Sequence, residues 1–279
     1  MALIDLIDVH ANTWLVQHFF RPIAQNDLRA AATSFPQILD YLYEQIPQNR
    51  RTSYGRVYTI KVLSEYLFSQ LNKQDAPVFL ISVQLLGLCD EIRSKGVALG
   101  ILSHYGLTNF TEVLPYFTTA AASPDWEMRE FAQMFFRKVT RKYPMPARRY
   151  LLGSVKSKDA NLRRFVAETL RPVQENQWLY SNPDYSVSIL RLLFTEAKPY
   201  PRTSVGNNLS DLARRLPDMV YSLVEELVQS GNKNSYWIAY RACRNLVKKE
   251  PLKVMDLLAV DEYRYKKQVY RRVDHKRIL

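Results

Sequence analysis

The chain has 279 residues, 47% of them hydrophobic and 12% aromatic, which is ample for a sizeable core, and it carries a formal net charge of +12 with a pI near 9.6. Only 8 residues are glycine, and neither Gly-x-Gly-x-x-Gly nor Gly-Lys-Ser/Thr occurs, which argues against hairpin-rich folds and the nucleotide-binding fingerprints. The two cysteines (Cys89, Cys243) and four histidines (His10, His18, His104, His275) make no Cys-x-x-Cys or His-x-x-x-His pair, so no metal site and no cofactor is expected. The opening Met-Ala-Leu-Ile-Asp-Leu-Ile-Asp is broken by acids, and no run of about 18 apolar residues follows. The expectation is a cytoplasmic protein with free thiols and no membrane contact. The basic excess calls for an anionic partner, of which nucleic acid is the commonest; the plainer alternative is a soluble protein that is merely basic.

Periodicity predicts helices throughout. Leu3 to about Ala32 reads as helix interrupted at Pro22, with Trp14, Leu15, His18 and Phe19 as its apolar stripe. Phe35–Gln45 repeats the pattern, and Val57–Leu71 is amphipathic, with Val57, Ile60, Leu63, Leu67 and Leu71 three or four apart. Asp75 is a candidate cap. Phe79–Ile92 is apolar on nearly all sides and should be deeply buried, Cys89 with it. Val97–Tyr105 and Thr111–Ala121 form a short pair around Gly106.

From Ser123 a coarse repeat is visible. Polar helix starts recur at Asp125, Asp159, Arg202 and Ser235, at intervals of 33–43 residues, close to the range of HEAT or armadillo helix pairs. Such pairs cannot bury their apolar faces alone and must stack. The predicted fold is therefore all-α, a curved α-solenoid of HEAT-like helix pairs over 1–260 as a single domain. The segments Gln177–Pro183 and Ala197–Pro201 read as lengthened loops. Ser204–Asp218 reads as one helix stopped by Pro217, with Val205, Leu209, Leu212 and Leu216 on the apolar face and Asn207, Asn208 and Asp211 on the other. The residues 261–279 form a basic tail, with Arg264, Lys266, Lys267, Arg271, Arg272, Lys276 and Arg277 interleaved with Tyr263, Tyr265 and Tyr270. Such a tail suits phosphate contacts and stacking, or is simply a solvated terminus.

Three segments then resemble a known family: Asp125-Trp-Glu-Met-Arg-Glu-Phe-Ala132, Leu162-Arg-Arg-Phe-Val-Ala-Glu-Thr-Leu-Arg-Pro172 and Ser204-Val-Gly-Asn-Asn-Leu-Ser-Asp211. They look like the successive motifs of bacterial DNA alkylation repair proteins, the HEAT-like-repeat DNA glycosylases of the AlkC and AlkD type, and are nearer to the AlkC branch. Tyr236–Lys249 resembles the stretch that follows. The match runs from about Gly96 to Leu258; the first ninety residues match only in helical character. The resemblance implies a basic concave face holding duplex DNA and metal-independent hydrolysis of the N-glycosidic bond of cationic bases such as 3-methyladenine and 3-methylcytosine. It departs from the family at Gly206, where a better helix former is expected, and at Tyr240, where the AlkC branch tends to have histidine.

Carried over position by position, the resemblance implies Glu130, Glu168 and Asp211 as the catalytic acids, with Asp211 facing the sugar and activating water, and Trp126 as an aromatic wall. Asn208, Arg164 and Arg241 are candidate substrate-binding residues. Arg163, Arg244, Lys248, Lys249, Lys266, Lys267, Arg271 and Arg272 are candidates for DNA binding. The chemistry fits: an N3-alkylated base already leaves as a cation, so carboxylates need only stabilise an oxocarbenium-like sugar and position a water. Set in a DNA groove, they should be enclosed by arginines. Plainer readings stand beside these: Trp126 as a core-edge aromatic, Glu130 paired with Lys138, Glu168 paired with Arg164, and the polar residues of the 204–218 helix satisfying the next repeat. The expected partner is double-stranded DNA with alkylated bases, bound by a nucleoid-associated monomer. A non-catalytic HEAT-like protein that reads DNA shape, and an adaptor between proteins, are the alternatives.

Overall fold

A computed structural model describes residues 5–272, so Lys276 and Arg277 lie outside it. The described residues are helical apart from one two-stranded sheet. They form two compact units that divide between Val139 and Thr140. That line falls inside the helix Trp126–Lys142.

The first unit contains α1 (Val9–Leu15), α2 (Arg21–Ala24), α3 (Leu28–Thr33), α4 (Phe35–Glu44), α5 (Arg51–Tyr54), α6 (Arg56–Lys73), α7 (Val78–Leu88), α8 (Ile92–Tyr105), α9 (Phe110–Ala122) and most of α10 (Trp126–Lys142). The predicted Leu3–Ala32 helix is broken up: Val16–Phe20 is a π-helical turn, α2 ends beyond Pro22, and Asn26 adopts φ 59° before α3. The helix expected over Phe79–Ile92 stops at Leu88, Cys89 is its buried C-cap, and Leu80 is half exposed, so apolar composition overstated its burial. Asp75 does not cap it; Asp75 has φ 50° and Pro77 precedes α7. Gly96 and Gly100 of α8 lie one turn apart, and a Cβ on them would approach the rings of Phe131 and Phe135 to 2.8 and 2.9 Å. The i, i+4 glycines thus let i, i+4 phenylalanines of α10 seat on the α8 backbone.

His104 of α8 is enclosed between the Phe68 ring (centroids 5.3 Å) and Lys138 Nζ, which lies 2.9 Å from His104 Nε2. Burial first, and the lysine charge second, push its pKa down to about 3. In the unfolded chain the ring protonates near its ordinary 6.5. Between these values the unfolded state binds a proton that the folded state refuses, so stability is lost as pH falls below about 6.5, at up to about 1.4 kcal/mol per unit. Urea midpoints at pH 7.5 and 5.5 should show this loss, and His104→Gln should remove most of it.

The second unit contains α11 (Pro144–Ser154), α12 (Ala160–Thr169), α13 (Trp178–Ser181), α14 (Pro183–Leu190), α15 (Pro199–Leu212), α16 (Pro217–Gln229), α17 (Lys233–Ala242), α18 (Pro251–Leu258) and the antiparallel strands β1 (Glu262–Tyr265) and β2 (Gln268–Arg271). Helices α12, α15 and α17 lie side by side in that order, with α11, α14, α16 and α18 packed behind. A recurring start aligns them. Ser157 Oγ accepts the Asp159 N–H (3.1 Å) and Asp159 Oδ1 accepts the Asn161 N–H (2.8 Å); Ser230 and Asn232 repeat this before α17. The side-chain oxygens satisfy N–H groups that the first helical turn leaves unpaired. In the first unit Ser123 and Asp125 do the same for α10.

Three loop assignments are corrected here. The stretch Gln177–Pro183 holds α13 and the start of α14, and Pro199 and Pro201 lie in the first turn of α15, where a missing N–H costs nothing. Pro217 begins α16 instead of ending the preceding helix, which stops at Leu212; Leu216 is the N-cap of α16. The described part of the tail is not frayed. It is a hairpin with a two-residue Lys266-Lys267 turn, and Tyr263 of β1 is fully buried.

Candidate functional site

The side chains that matter come from the ends of α12, α15 and α17 and from β1. Glu168 lies in the last turn of α12, and Arg171 follows three residues later, just before Pro172. Asp211 lies in the last turn of α15, with Arg214 three residues on. Arg171 reaches between the two helices. Its Nη1 donates to Glu168 Oε2 (3.0 Å), while Nε (3.0 Å) and Nη2 (2.6 Å) both donate to Asp211 Oδ2. Asp211 Oδ1 accepts from Arg244 Nη2 (3.2 Å) and lies 3.5 Å from the guanidinium of Arg214, which is largely exposed. Glu168 and Asp211 are themselves almost fully buried. Buried charge is tolerable only when paired and hydrogen-bonded, and here it is both. The acids are enclosed by arginines, as the electrostatic argument from the sequence requires.

The cations outnumber the acids. Arg164, nearly buried, stacks over the Tyr200 ring (4.4 Å) and lies 3.9 Å from Glu168, so the plainer i, i+4 pairing is present but long. Arg241 Nε donates to Asn207 Oδ1 (2.8 Å) and its guanidinium sits over Trp237. Burial, with Arg244 and Arg171 nearby, pulls Arg241 below its ordinary pKa. Burial also works against the charge of Arg171, but Glu168 and Asp211 outweigh it and raise that guanidinium's pKa. On Asp211, Oδ2 is fully occupied by Arg171. Oδ1 accepts one hydrogen bond, from Arg244, and is approached also by the largely exposed Arg214. That approach is where the carboxylate can accept from water or a ligand.

The other predicted residues are distributed differently. Asn208 is completely buried and donates to the Ala167 carbonyl of α12 (2.9 Å), so it ties adjacent repeats together and does not face a substrate. Arg163 forms a fork with Glu196 (2.6 and 3.0 Å) and bonds the Ser157 and Lys158 carbonyls; it braces the start of α12 and is not an open phosphate ligand. Arg271 pairs with Glu262, and Arg272 with Asp256 and Asp261. Lys248, Lys249, Lys266 and Lys267 are exposed. In the first unit, Trp126 is the first residue of α10 and 62% exposed, neither a core edge nor a closed wall. Glu130, one turn on, accepts a hydrogen bond from Gln133.

Sequence reasoning missed Arg171. The signal was present: each buried acid is followed three residues later by arginine, a spacing that places both on one helix face. Both departures from the family pattern also find a local cause. A Cβ at Gly206 would come within 2.9 Å of the Arg241 side chain, so glycine here lets α17 approach. Tyr240 accepts the Arg264 N–H (2.7 Å), donates to the Arg264 carbonyl (3.1 Å) and stacks on Tyr263, fastening the hairpin.

No family model and no curated protein sequence matches the chain significantly. Two solved structures do match. AlkD2 from Streptococcus mutans is 18% identical with a TM-score of 0.53, over 65% of this chain and 87% of that one. The alkylpurine DNA glycosylase AlkC of Pseudomonas fluorescens, bound to DNA containing an abasic site analog, is 17% identical with a TM-score of 0.56, over 94% of this chain and 70% of that one. The chain has the AlkC/AlkD-type fold. The described residues hold no group of three His, Cys, Asp or Glu side chains placed to bind a metal, and no helix long and apolar enough to cross a membrane.

Proposed function

We propose that the chain is a DNA glycosylase of alkylation repair that releases cationic N3-alkylated bases, 3-methyladenine and 3-methylcytosine, from duplex DNA without a metal. The observation that carries this reading is the Glu168–Arg171–Asp211–Arg244 cluster, built on successive helices of the fold that AlkC uses. A cationic base needs no protonation to leave. Asp211, through Oδ1, faces the developing positive charge on the sugar and takes a proton from the attacking water once Arg214 swings aside. Glu168 adds negative charge and holds Arg171 in place. Arg241, which pairs with no carboxylate among the described residues, takes a DNA phosphate, and the exposed lysines supply salt-dependent affinity. The protein acts as a monomer on DNA in the cytoplasm.

A second reading has its own support. Arginines surround both oxygens of Asp211, which suits a protein that binds DNA by shape and charge without excising bases. Base release from methylated duplex, in buffer with chelator, separates the two. Free 3-methyladenine or 3-methylcytosine is expected. Tight binding with no release assigns the chain to the second reading, and absence of binding at physiological salt favours an adaptor between proteins.

A further inference from the structure

Arg244 lies beyond the end of α17, in a stretch of turns, so no helix fixes its backbone. Its guanidinium is held by acceptors instead. Three come from α15: Ser210 Oγ (2.8 Å to Nε), Asn207 Oδ1 (2.8 Å to Nη1) and Asp211 Oδ1. The fourth is the hydroxyl of Tyr265, at the end of β1, 3.3 Å from Nη1. Asn207 Oδ1 is shared with Arg241, so the hold from α15 is divided. Tyr265 supplies the restraint that comes from outside α15.

The hairpin is built to deliver that hydroxyl. Tyr263 and Tyr265 are two residues apart on β1 and therefore share a face. Tyr263 is fully buried, stacks on Tyr240 at 4.4 Å and donates to the Tyr240 carbonyl (2.8 Å). The hairpin arginines Arg264 and Arg271 are spent on Glu262, and Arg272, just beyond β2, on Asp256 and Asp261. A tail made only to reach phosphates would leave its arginines open and would not bury a tyrosine.

We propose that the C-terminal hairpin is a working part of the site, in which Tyr265 is a positioning residue that sets the Arg244 guanidinium against Asp211. The inference rests on the reading of the Asp211 cluster as the site of base release. Burial works to raise the Tyr265 phenol, but the hydrogen bond from Arg244 and the charges of Arg244, Arg241 and Lys266 outweigh it and hold the phenol below its ordinary range. The hydroxyl is thus an acceptor tuned to a guanidinium.

The test is Tyr265→Phe in the full-length protein, which keeps the ring and the packing. Loss of one hydrogen bond to a charged group should lower kcat for base release about tenfold, with KM for DNA and the melting temperature unchanged. In an Arg244→Gln background the same substitution should cost nothing further. An unchanged kcat overturns the proposal, as does weaker DNA binding at unchanged kcat, which would make Tyr265 a DNA contact. If the wild type releases no base, the glycosylase reading fails, and the positioning role is read from arginine side-chain NMR. Exchange of the Arg244 Nη–H protons should then quicken several-fold in Tyr265→Phe while that of Arg171 stays put; an unaltered Arg244 overturns the inference.

Discussion

Asp211→Asn is expected to lower base release by about 100-fold or more while DNA binding at physiological salt stays the same or tightens. The substitution is nearly isosteric and keeps an oxygen for Arg171, but it removes the carboxylate that, among the described residues, pairs with Arg244 and Arg214. Affinity for DNA should not suffer, because the net charge near the phosphates becomes more positive. Stability should fall, because the neighbouring guanidiniums lose their counter-charge. Breaking a buried pair costs about 3–5 kcal/mol, and the exposure of Arg214 and partial exposure of Arg171 reduce this to about 2 kcal/mol here. At this chain size that is a drop of about 4–8 °C in melting temperature. Base release, a filter-binding isotherm and a thermal scan on the same preparations decide the matter. Undiminished release sinks the catalytic role; loss of folding and binding together reduces Asp211 to a structural one.

Arg171→Ala should have the largest effect on stability. One side chain makes three hydrogen bonds to two buried carboxylates on different helices, and its removal leaves both acids facing each other without the bridge. The expected loss is about 3 kcal/mol, seen as about a hundredfold fall in hydrogen-exchange protection of the α12 and α15 amides. Arg171→Lys should recover only part of it, since an ammonium cannot span the same fork. Protection that is unchanged in Arg171→Ala would mean that water serves the two acids equally well.

What was legible in the sequence follows from what local patterns encode. Apolar spacing gave the helical class, and the polar starts at Asp159, Arg202 and Ser235 fall at or within the first turn of α12, α15 and α17. Proline was misread at Pro217 and in 197–201, because it marks a helix start as readily as a stop and only the neighbouring repeat decides. Glu168 and Asp211 were picked out, and the structure brings them together. Arg171 was not, because its importance lies in bridging two helices about forty residues apart. Asn208 was misassigned for the converse reason: a polar side chain looks like a ligand contact until its buried backbone partner is seen. The hairpin was hidden because its tyrosines and arginines read equally well as a solvated tail, and only the Tyr240–Tyr263 stack distinguishes the two.

The polar bonds joining α12 to α15 and α15 to the turn after α17 link residues about one repeat apart in the chain. In a stack of this kind each layer is stable only through its neighbours, so opening proceeds from the ends. Asp211 sits in the middle layer and owes one counter-ion to the layer before it and another to the last one. Opening of α17 and the hairpin would therefore withdraw Arg244 while the Arg171 bridge between α12 and α15 stays in place. If Asp211 carries the proposed chemistry, loosening that one layer removes a counter-ion from the acid without unfolding the acid's own helix, a local control over activity.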